Sequence, residues 1–423
     1  MTDHAGPLRG LRVLELGGIG PAPFAGMMLC DLGADVIRLD RPAIADPDGQ
    51  DPLSRGKRSL LVDLKNPDGR DAVLRGLGHV DILLEGFRPG VTERLGIGPA
   101  ECLTRNKRLV YGRISAFGQD GPFAQAPAHD INCLALAGVL AHVGTAGGPP
   151  VIPLNIIGDF GAGGMLLAYG VMCAALAAAR SGRGQVVDAS MLDGLTLLMA
   201  STFAMLQNGS WLPERGVNLC DGGAPFYNVY RTLDGGYVSV GAIEPQFFAA
   251  MLTLCGAGDG DEDVDALLAA QHDRASWPAL TARLRTLFAA KTRKEWEHLA
   301  DQHKTCLAPV LGLTEAPRHP HLVERGSFLE IGGIVQPSPA PRFSETPGAI
   351  HSPAPRLGQD TRRVLTGWGL GDAEVDRLLR TDAIGESRTR DLAADSRVPG
   401  HDHIKLPGAD AGGTGKDTNV EVT

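Results

Sequence analysis

No basic excess, no paired-cysteine spacing and no membrane-length apolar run mark this 423-residue chain, and each absence removes a class of protein. The net charge of −9 argues against nucleic acid as a bulk partner, so an anionic ligand must be held by a local cluster of Arg and Lys. The seven cysteines (Cys30, Cys102, Cys133, Cys173, Cys220, Cys255, Cys306) are odd in number and lack any C-x-x-C spacing. That pattern fits free thiols in a reducing compartment and neither a disulfide framework nor a zinc site. The opening "MTDHAGPLRG" has no basic-then-apolar leader pattern, and the longest apolar run, 165–179, is short for a bilayer. No internal repeat is visible. These absences predict a soluble cytoplasmic protein with no metal site and no membrane span.

What is present is a strand–helix alternation. "LRVLEL" (11–16), "DVIRLD" (35–40), "SLLVDLK" (59–65), "VDILLEGF" (80–87) and "RLVYGRIS" (108–115) read as strands, with "PFAGMMLCDLGA" and "PDGRDAVLRGL" as helices between them. Such βαβ alternation predicts an α/β domain with a mostly parallel, Rossmann-like sheet. A large domain is expected over 1–189, with 333–383 returning to it. "SMLDGLTLLMASTFAML" reads as one long helix, the start of a linker over 190–224. "YNVYRTLDGGYVSVGAI" reads as a β-hairpin opening a smaller α+β domain, 225–312, followed by a second linker, 313–332. "PSPAPRFSETP" is a Pro-rich crossing and "LGQDTRRVLTGWGL" a helix; from 384 to 423 the scarcity of large apolar residues predicts a disordered tail.

"ELGGIGPAPFAG" nearly matches a dinucleotide-binding turn, with Asp40 twenty residues after Gly20. Pro23 occupies the third glycine position and Pro21 removes another backbone donor, so a tight structural turn is the better reading. Arg38, Arg41, Arg55, Lys57, Arg58, Arg88 and Arg94 cluster nearby. They form either a solvated surface or a set converging on phosphates, and the sequence leaves both open.

Three polar residues stand out against apolar or Gly-rich surroundings. His129 precedes a helix in "AHDINC"; its neighbour Asp130 is placed to cap that helix with its side-chain oxygen and, since adjacent helical residues point ~100° apart, does not face His129. Asp159, in "LNIIGDFGAGGM", sits at a helix start where the dipole favours its charge and free N–H groups could receive an oxyanion. Gly161, Gly163 and Gly164 read as clearing space beside it. Glu244, in "VSVGAIEPQF", ends a strand before Pro245. Each residue alone has a structural explanation as a cap or a surface group.

Taken together, "LRVLELGGIGPAPFAGMMLCDLGADVIRLDRP", "RGKRSLLVDLK", "HDIN", "PLNIIGDFGAGG", "GRGQVVDAS", "DGGAPFY", "VSVGAIEPQFF", "PAPRFSETP" and "LGQDT" resemble the α-methylacyl-CoA racemases of the class III CoA-transferase superfamily, over residues 8–370. The resemblance implies an interlocked homodimer whose active sites lie between one subunit's large domain and the other's small domain. It implies an acyl-CoA thioester substrate, with His129 and Asp159 as acid/base residues on opposite faces of C2 and Glu244 of the partner chain orienting His129. It implies substrate and CoA contacts at Ile19, Arg41, Val62, Asp63, Leu64, Lys65, Arg94, Ala128, Asp130, Ile131, Asn132 and Cys133. A proton beside a thioester is weakly acidic, so its removal needs a positioned base and a stabilised enolate, and no metal or redox cofactor.

Relatives commonly carry Gly at 128, Tyr at 133 and Met at 219; here Ala128, Cys133 and Leu219 leave the acyl preference open. Rival readings are a class III CoA-transferase with Asp159 as nucleophile, a non-catalytic CoA-binding protein, and a nicotinamide-dependent dehydrogenase.

Overall fold

The computed structural model describes residues 5–42, 51–257, 264–303 and 305–387. The expected tail lies outside these residues except at its first four. Seven strands form the central sheet: β1 (Arg12–Leu16), β2 (Asp35–Asp40), β3 (Arg58–Val62), β4 (Ile82–Glu85), β5 (Val110–Ser115), β6 (Val186–Ser190) and β12 (Ile384–Gly385). Their order is β12-β3-β2-β1-β4-β5-β6, parallel throughout except for β12, which runs antiparallel to β3. The run of strands "VLEL", "SLLV" and "ILLE" is buried on both sides, as a sheet covered by helices requires. One apolar cluster, including Leu14, Leu39, Leu60, Leu83 and Trp368, and a second, including Val13, Val36, Ile82, Val110 and Leu167, build this core.

β6 and β12 were not expected as strands; both are edge strands, where the apolar signal is weakest. Ile384, assigned to the tail from composition, is buried at the sheet edge. The helix Asp372–Arg380, also not anticipated, leads into it.

The turn after β1 is structural. Gly20 adopts φ 73°, and the helix Pro21–Asp31 follows with Pro at its first position. A Cβ on Gly17 would lie 2.0 Å from Asp40 Oδ1. Asp40, the residue that would have held a ribose, is buried and accepts from Arg38 Nε at 2.9 Å.

The segment after β6 is two helices, Met191–Leu198 and Ala200–Gln207, broken at Met199, where one was expected. β7 (Tyr227–Arg231) and β8 (Tyr237–Gly241) form the expected hairpin, extended by β9 (Leu307–Pro309). These strands and the helices Pro245–Leu254, Trp277–Phe288 and Arg293–Gln302 enclose a separate aromatic cluster of Phe226, Tyr230, Phe248, Phe288 and Trp296. β10 (Phe328–Ile331) and β11 (Ile334–Pro337) pair across Gly332–Gly333, both at positive φ, so the expected boundary between 332 and 333 falls inside a hairpin turn.

The helical run Ile156–Ser181 is 26 residues long, longer than the apolar stretch 165–179 suggested, and by length and composition it could cross a membrane. Leu167, Ala168, Val171, Ala174 and Ala178 on it are buried in the core, and it packs on β5 and β6.

Candidate active site

In chain order the sheet grows from β1 toward β3 on one side, then restarts at β4 on the other side of β1. The crevice outside the carboxyl ends of strands at such a reversal is the usual ligand site of open α/β sheets. A cavity of about 580 Å³ occupies it here. Ile19, Gly20 and Pro21 follow β1, Gly86 to Pro89 follow β4, and Ala116 and Phe117 follow β5. Ala128, His129, Asn155, Asp159, Phe160 and Met191 complete the wall. Both residues named as acid/base groups, thirty positions apart in sequence, therefore share one cavity, and Glu244 does not line it.

His129 is exposed and, contrary to expectation, is itself the N-cap of the helix Asp130–Leu136. Its N–H donates to Asn132 Oδ1 at 3.1 Å, so Asn132 closes the helix start from inside. This frees Asp130 from capping. Its side chain is buried, and Oδ2 accepts the backbone N–H of Asp159 at 2.9 Å. That N–H is thereby committed and does not serve a developing oxyanion.

Asp159 lies in the first turn of a π-helical stretch, Ile156–Met165, that continues as Leu166–Ser181. Such wide turns recur at functional sites. Leu154, just ahead of it, is held at φ 60°, a costly conformation for a branched side chain. Burial raises the Asp159 carboxyl above its usual range; donation from Asn155 Nδ2, at 3.1 Å, works against this, the Asp130 charge adds to it, and His129 opposes it. Asn155 was not singled out from sequence, although its spacing four residues before Asp159 puts both on one helix face.

The glycines beside Asp159 do something other than clear room for substrate. A Cβ on Gly164 would lie 2.7 Å from Phe24 Cδ1, and one on Gly163 3.0 Å from Pro21 Cβ. They let this helix press against Pro21–Asp31, which brings Gly20 close: a Cβ there would sit 3.6 Å from the Asp159 carboxylate.

Glu244 is placed elsewhere. It is an exposed N-cap of Pro245–Leu254, makes no side-chain capping bond, and is not among the residues lining this cavity. Among the implied CoA contacts, Ile19 lines the cavity and is 82% exposed; Arg41, Lys65, Arg94, Ile131 and Asn132 are exposed, and Asp63 and Ala128 are half-buried. The side chains of Val62, Leu64 and Cys133, by contrast, are buried and do not face a ligand. Val62 and Leu64 belong to the core, and the Cys133 thiol is buried against Ala116 O, with burial pushing it up to about 12. Only their backbones could meet a ligand.

The basic cluster divides. Lys57 is fully buried on Glu15 at 2.6 Å, Arg55 on Asp31 at 2.6 Å; Arg58 pairs with Asp35 and Arg38 with Asp40. Arg41, Lys65, Arg88 and Arg94 form no ion pair among the described residues and remain for solvent or ligand. Among the same residues no group of three or more His, Cys, Asp or Glu is arranged to hold a metal ion.

The family model for CoA-transferase family III matches residues 8–361. The chain is 42% identical to the α-methylacyl-CoA racemases of Mus musculus and Homo sapiens, over 89% and 90% of its length and 98% of each of theirs. It is similar to a solved protein structure from M. tuberculosis, with a TM-score of 0.69 at 30% identity, covering 85% of this chain and 99% of that one.

Proposed function

The chain belongs to CoA-transferase family III, and on that premise we infer that it racemises 2-methyl-branched acyl-CoA thioesters at C2. The observation that carries this reading is the convergence of His129 and Asp159 on one cavity at the strand reversal, in a chain so similar to the two racemases. One of the two groups takes the C2 proton, leaving an enolate conjugated with the thioester carbonyl. The other, protonated at the outset, delivers a proton to the opposite face of C2. For the second enantiomer the roles exchange. A carboxyl raised by burial suits this exchange, because a group that must both take and give a proton works best near the operating pH. The reaction consumes nothing and runs without metal or redox cofactor.

Arg88 on the cavity wall, without an ion pair among the described residues, supports with Arg41, Lys65 and Arg94 the binding of the CoA phosphates. Leu197, Leu198, Phe203, Tyr169 and Leu176 expose between 42% and 70% of their surface, apolar area of the kind a second subunit covers. In a homodimer, Glu244 of the partner subunit would reach and orient His129.

The test is one enantiomer of a 2-methylacyl-CoA in deuterium oxide, with no acceptor acid. Loss of optical purity with deuterium at C2 supports racemisation. No exchange there, with CoA transfer in a parallel reaction containing an acceptor acid, would instead make Asp159 the nucleophile of a transferase.

A further inference from the structure

We propose that Asp130 is a positioning residue whose carboxylate ties the two acid/base groups into one unit, fixing the separation between His129 and Asp159. The inference rests on the racemase reading and concerns a residue which that reading names only as a substrate contact.

Asp130 follows His129 directly, so its backbone moves with the histidine. Its carboxylate is buried and accepts the Asp159 N–H at 2.9 Å, so its other end holds the opposing carboxylate's backbone. The sequence makes room for this bond. A Cβ on Gly158 would lie 2.3 Å from Asp130 Oδ2 and 2.9 Å from its Cγ, a contact no side chain could accept. The dipeptides His129-Asp130 and Gly158-Asp159 therefore interlock: one supplies an acid/base group and a strut, the other an acid/base group and the gap the strut occupies. The two helices they start, Asp130–Leu136 and the run from Ile156, are in contact along their beginnings.

Two physical consequences follow. A two-base reaction needs both groups held within about 0.5 Å of their productive positions on opposite faces of C2, and small misplacements cost rate far more than binding. Asp130 also places a negative charge beside Asp159, in the same sense as the burial that raises that carboxyl. Geometry and charge are separable by substitution, because an asparagine keeps an acceptor oxygen and loses the charge.

The experiment compares Asp130→Asn and Asp130→Ala with wild type, using kcat and KM for racemisation of a 2-methylacyl-CoA and the pH profile of kcat/KM for each enantiomer. Asp130→Ala is expected to lower kcat about tenfold or more with KM within about threefold. Asp130→Asn is expected to restore most of kcat and to shift the acid limb of the Asp159-dependent direction to lower pH. Gly158→Ala is expected to mimic Asp130→Ala, and the double variant to be no worse than either alone. A merely structural role would lower folded yield or melting temperature without moving the pH limb. The proposal is overturned if Asp130→Ala keeps wild-type kcat and pH profile, or if folded Asp130→Asn is as slow as Asp130→Ala. Should Asp130→Ala fail to fold, the acid limb of Asp130→Asn decides: a shift supports the proposal and an unshifted limb overturns it. Wild-type protein that racemises no substrate sinks the racemase reading itself, a separate outcome.

Discussion

Asp159 and Glu244 are both carboxylates at the start of a helix, and their surroundings differ completely. Asp159 is half-buried, its N–H held by Asp130, its carboxylate by Asn155, with Gly20 and His129 beside it. Glu244 stands exposed at the head of Pro245–Leu254, with no capping bond and no place in the cavity wall. The chain gives Asp159 partial burial and fixed partners and, among the described residues, gives the Glu244 side chain neither. The contrast teaches that position at a helix terminus does not make an acid/base residue; enclosure and fixed partners do. It also means that a catalytic part for Glu244 depends on a second copy of the chain.

Substitution sharpens this contrast. Asp159→Asn is expected to reduce kcat by about a hundredfold or more, and Glu244→Gln by clearly less, in the same steady-state assay. Equal losses would break the distinction. Beneath the site, Lys57→Met strands the fully buried Glu15 and should cost about 3–5 kcal/mol in denaturant unfolding, with no direct role in chemistry. Mixed dimers of His129→Ala and Glu244→Gln chains contain one intact site if Glu244 acts across subunits, so random exchange should restore about a quarter of wild-type activity. Proven exchange without recovery confines Glu244 to another role. Arg94→Ala should leave melting temperature unchanged and raise KM for the CoA ester by about tenfold, the worth of one charged hydrogen bond. A smaller effect comes from pH. Because the Asp159 carboxyl is raised, the direction that needs it deprotonated should decline as pH falls while still above the ordinary carboxylate range. A limb lying within that range would remove the enclosure argument.

The five strands read from alternation stand within three residues of their expected ends, because burial between helix layers writes apolar residues into each. β6 and β12 escaped because edge strands bury less and β12 is two residues long. His129 and Asp159 were legible as polar residues in apolar, Gly-rich settings. The role of Asp130 was not: capping is a local rule, whereas its actual partner is 29 residues away and is reached only when two helix starts meet. The cations show the same limit. Arg38, Arg55, Lys57 and Arg58 look like Arg88 and Arg94 in sequence, yet burial commits the first four to Glu15, Asp31, Asp35 and Asp40. Gly163 and Gly164 were read as clearing space beside Asp159; what they admit is the helix Pro21–Asp31 and not a ligand.

The account's centre is that His129 and Asp159 serve opposite faces of one carbon. Rates of C2 proton exchange into deuterium oxide, measured separately from each enantiomer with His129→Ala and Asp159→Asn, address it directly. Each variant should lose exchange from the enantiomer whose proton faces the missing base, so the two should show opposite preferences. Wild-type exchange from both enantiomers in both variants, or loss of the same enantiomer in each, would contradict the two-base site.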